Sequence, residues 1–164
     1  EIEISSLCEP FFHLDFAQKR MTRGNIMARV RMIILYAAAN EFDGLVLGTG
    51  NKTELLTGFF TKWGDGAVDL EVLGNIWKEE VFALAQYFGL PKNIFTKAPT
   101  AELFAGQTDE AELGISYADL DVVLRKIEKN PKSFSPQDTN EERAFSLFSS
   151  SVHKREKIKS LARI

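Results

Sequence analysis

The feature that most constrains this chain is one stretch, residues 45–69, in which an apolar run meets a glycine-rich turn and then a helical pattern. Its sequence is LVLGTGNKTELLTGFFTKWGDGAVD. The apolar run predicts a buried strand, and Gly48 and Gly50 allow the backbone to approach a ligand closely. A helix that starts after such a turn offers unpaired N–H groups to anions. The pattern is therefore typical of a nucleotide site, although many strand–turn–helix connections bind no ligand.

Polar side chains are denser in this stretch than a structural connection needs. They are Thr49, Asn51, Lys52, Thr53, Glu54, Thr57, Thr61, Lys62, Asp65 and Asp69. Lysines and backbone amides hold phosphate oxygens, and a carboxylate such as Glu54 can hold a Mg²⁺ ion that bridges them. Phosphate chemistry is thus one interpretation of the stretch and of Lys78 beyond it. Ordinary surface positions on amphipathic helices are the other interpretation of Glu54 and Lys78.

The segments around this stretch predict an α/β fold. Residues 26–37 have helical periodicity, with Asn25 as the expected N-cap, and they precede the strand predicted at residues 45–48. An extended segment at residues 67–73 is followed by an amphipathic helix at residues 77–88. Strands that alternate with helices in this way favour a parallel sheet.

Other elements follow from local patterns. We predict a strand end at residues 1–6, a helix at 52–61, a helix that begins at Ser116 and reaches Lys129, and a last helix at 140–158. Residues 92–114 are irregular, and a loop of that length in a compact domain is usually functional or mobile.

Composition excludes several classes of protein. The 164 residues suffice for one domain with a core, and a net charge of −3 gives no electrostatic case for nucleic-acid binding. A lone cysteine, Cys8, forms no internal disulfide, and two histidines are too few for a His/Cys zinc site. The longest apolar run, residues 32–39, is too short to span a bilayer, and no signal-peptide pattern is visible. We therefore expect a cytoplasmic protein without a membrane partner.

Two groups of cations have open interpretations. Arg29 lies near the apolar stripe of its helix and suits either a structural ion pair or a ligand contact, whereas Arg31 lies off the stripe and is interpreted as solvated. Residues 153–159 are strongly basic, and composition alone favours a solvated tail near a helix C-terminus over a ligand contact.

Five ordered blocks of the chain carry a family resemblance. They are GNIMARVRMI, GTGNKTELLTGFFTKWGDG, the helix after Gly74, KAPTAELFAGQTDEAELGISYADLD and HKR. Together they resemble ammonia-dependent NAD synthetase, a member of the N-type ATP pyrophosphatase (adenine nucleotide alpha hydrolase-like) group. The resemblance covers residues 1–164 as one domain and implies a Rossmann-like doubly wound parallel sheet flanked by helices. The family's Ser-Gly-Gly-x-Asp-Ser pyrophosphate loop, with its second metal ligand, is not in this sequence, so we expect it to precede Glu1.

The resemblance also implies roles for individual residues. Thr49, Lys78 and Thr100 would contact ATP, with Lys78 catalytic near the phosphates, and Glu54 would be a Mg²⁺ ligand. The contacts to deamido-NAD would come from Arg29, Lys62, Asp69, His153 and Lys154. Asp65 would make a catalytic contact with ammonium. It further implies that residues 97–114 form a lid over the substrate.

The implied reaction has two steps, adenylation of the nicotinate carboxylate of deamido-NAD by ATP and then amidation by ammonia. The resemblance also implies a homodimer, and residues 32–39 suit either its interface or the core. Compact blocks favour free ammonia over glutamine as nitrogen donor. The alternatives are another amidating pyrophosphatase, of the GMP synthetase or asparagine synthetase kind, and a non-catalytic nucleotide-binding or dimerisation module.

Overall fold

The structure, a computed structural model, describes residues 1–101, 103–104 and 106–156. The helices among these residues are α1 (Ser5–Phe12), α2 (Arg20–Glu41), α3 (Lys52–Thr57), α4 (Lys78–Tyr87), α5 (Lys92–Thr96), α6 (Asp109–Leu113), α7 (Tyr117–Lys129), α8 (Thr139–Ser150) and α9 (Val152–Arg155). The strands are β1 (Leu47–Gly48) and β2 (Leu70–Glu71). None of the described helices combines the length and the apolar character that crossing a bilayer requires.

The two described strands form a small parallel sheet. Leu47 pairs with Leu70 and Gly48 pairs with Glu71. Helix α3 lies between the strands in sequence, so the unit is a short β–α–β crossover, which is the connection that parallel strands need. The α/β prediction with a parallel sheet is confirmed at this level.

The core is built around α7. Its buried stripe repeats at helical spacing and consists of Leu120, Val123, Leu124 and Ile127. The buried cluster also contains Trp77 before α4, Leu113 of α6, Ala144 of α8, Ile115 and Tyr117. Leu56 and Phe59 pack against it from the α3 side. Helix α7 therefore holds in place the two helices, α3 and α4, that carry Glu54 and Lys78.

Local signals set the ends of α3 and α7. The Asn51 side chain accepts a hydrogen bond from the Glu54 amide, and Glu54 accepts one from the Asn51 amide, which closes a reciprocal cap on α3. Gly58 ends this helix with φ of 66°, in the left-handed region that favours glycine. Helix α7 begins after Ser116, which accepts from the Asp119 amide as the sequence predicted.

Several predicted elements were wrong in type or extent. Residues 1–6 form no strand, because α1 begins at Ser5. Asn25 is not an N-cap, because α2 begins at Arg20. The helix predicted at residues 52–61 ends at Thr57.

The later segments also differ from their predictions. Residues 92–114 contain two short helices, α5 and α6. The last predicted helix is divided at Ser151 into α8 and α9, and its end at residues 157–158 lies outside the described residues. Phe88, the last residue of the amphipathic helix predicted at residues 77–88, is the C-cap of α4 and is 70% exposed.

Residues 32–39 are not core. In this chain Ile33 is 61% exposed and Leu35 is 53% exposed. The sheet is similarly open, with Leu47 and Leu70 more than half exposed. Parallel strands are normally covered on both faces, so these apolar surfaces are available for packing.

Candidate active site

Two adjoining pockets lie beside α3 and the segments that flank it. The smaller pocket has a volume of about 400 Å³ and contains Glu54, Lys78 and Thr100 in its lining. Its opposite wall is apolar and comes from α4 and α5, with Phe82 and Phe95 among its members. The pocket thus combines a charged end with an apolar wall, as small-molecule sites commonly do.

The larger pocket has a volume of about 750 Å³. Its lining includes Thr49 and Lys154, and Asp65 lines both pockets. Asp65 also accepts a hydrogen bond from the Thr61 amide, which fixes the loop that carries it. The structure therefore places Asp65 where a ligand in one pocket would meet a ligand in the other.

Glu54 and Lys78 form an ion pair in the smaller pocket. Lys78 Nζ lies 2.7 Å from Glu54 Oε1, and the two side chains are only 14% and 17% exposed. Each group is carried at a helix start, Glu54 on α3 and Lys78 on α4. A carboxylate and an ammonium group at this separation suit a metal ion and a phosphate that bind side by side.

An aromatic residue lies under the Lys78 ammonium group. The Nζ atom is 4.8 Å from the centre of the Tyr117 ring, a distance at which the ring attracts a cation. The Tyr117 hydroxyl donates to Asp109 Oδ2 at 2.9 Å. Burial raises the pKa of the Tyr117 hydroxyl, and the nearby Glu54 and Asp109 carboxylates add to this shift, so Tyr117 remains a donor.

Asp109 is a buried carboxylate on the wall of the smaller pocket. It is 4% exposed, and its Oδ1 atom makes no hydrogen bond to any residue that the structure describes. Burial raises its pKa, while the hydrogen bond from Tyr117 opposes the shift. The Asp109 Oδ1 atom is therefore an acceptor available in the pocket that contains Lys78, and the sequence analysis did not identify it.

The turn at residues 48–50 lies against a second carboxylate that was missed. The Glu71 side chain lies so close to Gly48 that a Cβ at position 48 would meet Glu71 Oε2 at 2.3 Å. Burial raises the pKa of Glu71, and a hydrogen bond from the Gly50 backbone opposes the shift. Glu71 thus supports the turn that presents Thr49, whose side chain is exposed at the pocket rim.

Three of the predicted substrate-binding residues form a chain of contacts. Arg29 donates to the Lys62 carbonyl at 3.1 Å, and Lys62 Nζ donates to the His153 carbonyl. Arg29 and His153 are exposed. Arg31, interpreted as solvated, is exposed and also lines the larger pocket.

Lys154 and its neighbour Arg155 reach inward instead. Lys154 Nζ donates to the carbonyls of Gly58 and Phe60 at 2.6 and 2.7 Å, and burial lowers its pKa while the Asp65 carboxylate opposes that shift. Arg155 donates to the Leu56 carbonyl. The basic segment is therefore anchored to the end of α3 as far as Arg155, and its remainder at residues 157–159 lies outside the described residues.

Asp69 lies apart from the two pockets. Its carboxylate accepts from the Val46 amide at 2.8 Å and from the Tyr36 hydroxyl at 3.5 Å. It contributes instead to a third, more open cavity that Lys154 also lines. The geometry gives Asp69 a structural function at the start of β1 and leaves its predicted substrate contact untested.

Comparison with known protein families shows to which family the chain belongs. A model of the NAD synthase family matches residues 1–158. The chain belongs to the NAD synthase family. Curated relatives include the NH(3)-dependent NAD(+) synthetases of Archaeoglobus fulgidus, 44% identical over 94% of this chain, and of Methanosarcina acetivorans, 57% identical over 67%. This chain covers 62% and 43% of those two proteins, so it spans about half the length of such relatives.

Solved structures of NAD synthase relatives share the fold. NMN synthetase from Francisella tularensis matches with a TM-score of 0.86 and 37% identity, over 98% of this chain and 65% of the other. NH3-dependent NAD synthetase from Campylobacter jejuni matches with a TM-score of 0.79 and 28% identity, over 98% and 64%. The predicted family is thus confirmed by sequence and by structure.

Proposed function

We propose that this chain forms the synthetase site of an enzyme that amidates deamido-NAD to NAD at the expense of ATP, with ammonia as nitrogen donor. The observation that carries the proposal is the Glu54–Lys78 pair in the smaller of two adjoining pockets, which share Asp65 in their linings. Two polyanionic substrates need adjoining pockets, and the atoms that react must meet between them. The curated NH(3)-dependent relatives support the choice of ammonia.

In the first step the nicotinate carboxylate attacks the α-phosphorus of ATP, and pyrophosphate leaves. Lys78 and Thr100 hold the phosphates in the smaller pocket, while Thr49 contacts ATP from the turn. Lys78 offsets the negative charge that gathers as the two anions approach. The Tyr117 ring holds the ammonium group of Lys78 from below.

The residues of the smaller pocket fit a Mg²⁺ ion. Mg²⁺ is commonly bound by one or two carboxylates together with substrate phosphates and water, and Glu54 supplies one such carboxylate. No cluster of three or more candidate ligands occurs among the described residues, which suits this mode rather than an all-protein cage. When bound, the ion would neutralise phosphate charge and polarise the phosphoryl oxygens.

In the second step ammonia attacks the activated carbonyl of the acyl-adenylate, and AMP leaves. Ammonia must be neutral to act as a nucleophile, so a carboxylate that binds ammonium and accepts its proton assists the attack. Asp65, exposed between the two pockets, fits this function. Arg29, Lys62, Asp69, His153 and Lys154 are the proposed contacts to deamido-NAD.

The same proposal extends to the fold and the assembly. We infer a doubly wound sheet with further strands and the pyrophosphate loop, a homodimer and a cytoplasmic location. The exposed apolar residues Leu47, Leu70 and Ile33 support additional packing on the sheet and on α2. Residues 97–114 would act as a lid over the smaller pocket, whose lining includes residues 97–101.

A product balance tests the proposal. The full-length protein is incubated with deamido-NAD, Mg-ATP and ammonium, and NAD, AMP and pyrophosphate are followed together. Equal amounts of NAD and AMP support the proposed reaction. AMP without NAD would indicate a related amidating pyrophosphatase, and ATP binding without either product would indicate a non-catalytic module.

A mononucleotide substrate is the second candidate. The Francisella tularensis neighbour is named NMN synthetase and is more similar in sequence, at 37% identity, than the Campylobacter jejuni NAD synthetase at 28%. Amidation of the nicotinate mononucleotide would use the same pockets and the same two steps. The product balance is therefore run in parallel with the mononucleotide and the dinucleotide, and the ratio of kcat/KM decides between them.

A further inference from the structure

The first two amides of α4, those of Lys78 and Glu79, are capped by side chains of other helices. The first amides of a helix have no acceptors within the helix, and an N-cap side chain normally supplies one. The N-cap residue here is Trp77, whose indole has no acceptor. Instead the Lys78 amide donates to Thr53 Oγ1 and the Glu79 amide donates to Asp121 Oδ2, both at 3.0 Å.

Thr53 and Asp121 are joined to each other. The Thr53 hydroxyl donates to Asp121 Oδ1, so one carboxylate contacts α3 with one oxygen and α4 with the other. Thr53 is completely buried and Asp121 is 3% exposed. Burial of a carboxylate costs free energy unless its oxygens accept hydrogen bonds. Each oxygen of Asp121 accepts one, from Thr53 and from the Glu79 amide.

The hydrogen bonds of Asp121 and Thr53 hold residues that are adjacent in sequence to the Glu54–Lys78 ion pair. Thr53 precedes Glu54 on α3, and Glu79 follows Lys78 on α4. Asp121 itself lies on α7, the central helix of the core. The Asp121 carboxylate therefore fixes the backbones from which the Glu54 carboxylate and the Lys78 ammonium group reach the pocket.

We propose that Asp121 is a positioning residue that sets the separation of Glu54 and Lys78 and so determines how tightly the site binds Mg-ATP. It acts through Thr53 and the Glu79 amide and touches neither substrate. A site for a metal and a phosphate depends on such outer contacts, because small displacements of the inner groups weaken both interactions. The consequence for Mg-ATP rests on the proposed function; the structural link does not.

The experiment compares isosteric variants of the full-length protein. Asp121→Asn keeps the shape of the side chain but places an NH₂ group against either the Thr53 hydroxyl or the Glu79 amide, which both donate to Asp121. Thr53→Val removes the hydroxyl that links Asp121 to the Lys78 amide. Thr53→Ser restores the hydroxyl and is the rescue variant. Glu141→Gln is the matched control, because Glu141 is a buried carboxylate whose partners, Lys126 and Gln137, line neither pocket.

Two readouts are needed. Calorimetric titration with Mg-ATP measures Kd, and amide hydrogen exchange measures protection at Lys78 and Glu79. We expect Asp121→Asn and Thr53→Val to weaken Mg-ATP binding by about tenfold, equivalent to ~1.4 kcal/mol, and to accelerate exchange of one or both amides. Thr53→Ser and Glu141→Gln should retain the wild-type Kd, and the KM for deamido-NAD should remain unchanged in all variants.

The outcomes are decisive in each direction. Folded Asp121→Asn and Thr53→Val proteins with wild-type Kd for Mg-ATP would overturn the inference, because their network would then only stabilise the fold. If Asp121→Asn does not fold, the Thr53→Val and Thr53→Ser pair gives the same decision. A wild-type protein that binds no Mg-ATP would overturn the proposed function itself, and unaltered amide protection in the variants would overturn the structural link.

Discussion

Replacing Lys154 with methionine tests its anchoring of the basic segment and its proposed contact with the substrate. Methionine keeps an apolar side chain of similar length and removes the ammonium group, whose Nζ atom lies 5.3 Å from the centre of the Phe60 ring. The carbonyls of Gly58 and Phe60 then lose their donor. We therefore expect Lys154→Met to destabilise the fold and, under the proposed function, to raise the KM for deamido-NAD while leaving the Kd for Mg-ATP unchanged.

The expected loss of stability follows from those two hydrogen bonds. A hydrogen bond contributes about 0.5–1.5 kcal/mol net, and we use this range because the partial exposure of Lys154 screens its charge. The two bonds together give a loss of about 1–3 kcal/mol. For a protein of this size, 1 kcal/mol corresponds to about 2–4 °C in Tm, so the Tm should fall by about 2–12 °C.

The pH dependence gives an independent signature. Burial lowers the pKa of Lys154 in the folded protein from its ordinary value of 10.5. Between the lowered pKa and 10.5 the unfolded chain binds more protons than the folded protein, so the contribution of Lys154 to stability rises with pH across that window. The stability difference between wild type and Lys154→Met should increase as pH rises through this range.

The assay is urea unfolding of both proteins at pH 7 and at several values up to pH 10.5. Lys132→Met is the control, because Lys132 is exposed between α7 and α8. Equal stability of Lys154→Met and Lys132→Met at pH 7 would refute the anchoring function. A stability difference that does not change with pH would refute the argument from burial.

Three further predictions concern the pockets. Glu54→Gln should slow pyrophosphate release with Mg-ATP while circular dichroism stays unchanged; unaltered rates would exclude the metal function. Asp65→Asn should slow amidation more than adenylation, so that AMP exceeds NAD in a product balance, and equal slowing of both steps would remove Asp65 from the ammonia site. Tyr117→Phe should lower the free energy of unfolding by about 1.5–3 kcal/mol, because the buried Asp109 carboxylate loses its donor; a double-mutant cycle with Asp109→Asn measures the coupling.

The sequence predicted the elements whose signals are local. The turn at residues 48–50, the helix that follows it and the cap at Ser116 depend on residues within one helical turn of each other. The family resemblance then supplied candidate residues, of which Glu54, Lys78, Thr100 and Asp65 line a single pocket. Their functions remain predictions.

Elements that depend on tertiary contacts were missed. Asn25 has the composition of an N-cap, but its side chain accepts from the Thr61 hydroxyl at 2.7 Å, and the helix continues through it to Arg20. Residues 1–6 were predicted as a strand end because their short alternation of charged and apolar residues resembles a strand, but α1 begins at Ser5. The buried Cys8, on its inner face, indicates that packing decides the helical conformation there.

The buried carboxylates could not have been found from one sequence. Asp109 and Asp121 look like ordinary acidic residues of amphipathic helices, and nothing local distinguishes them from exposed Asp119. Their partners are distant in sequence, since Asp121 joins Thr53 and Glu79. Burial and hydrogen bonding, rather than composition, identify them.

The contact between Gly48 and Glu71 has a consequence for how sequences of this kind can diverge. Any side chain at position 48 would occupy the space of the Glu71 carboxylate and of Val68. A lineage that acquires alanine at position 48 must therefore shorten or reorient the side chain at position 71 and move Val68, or displace β2 from β1. Positions 48 and 71 should accordingly covary among homologues, and Gly48→Ala should be better tolerated in a Glu71→Ala background than alone.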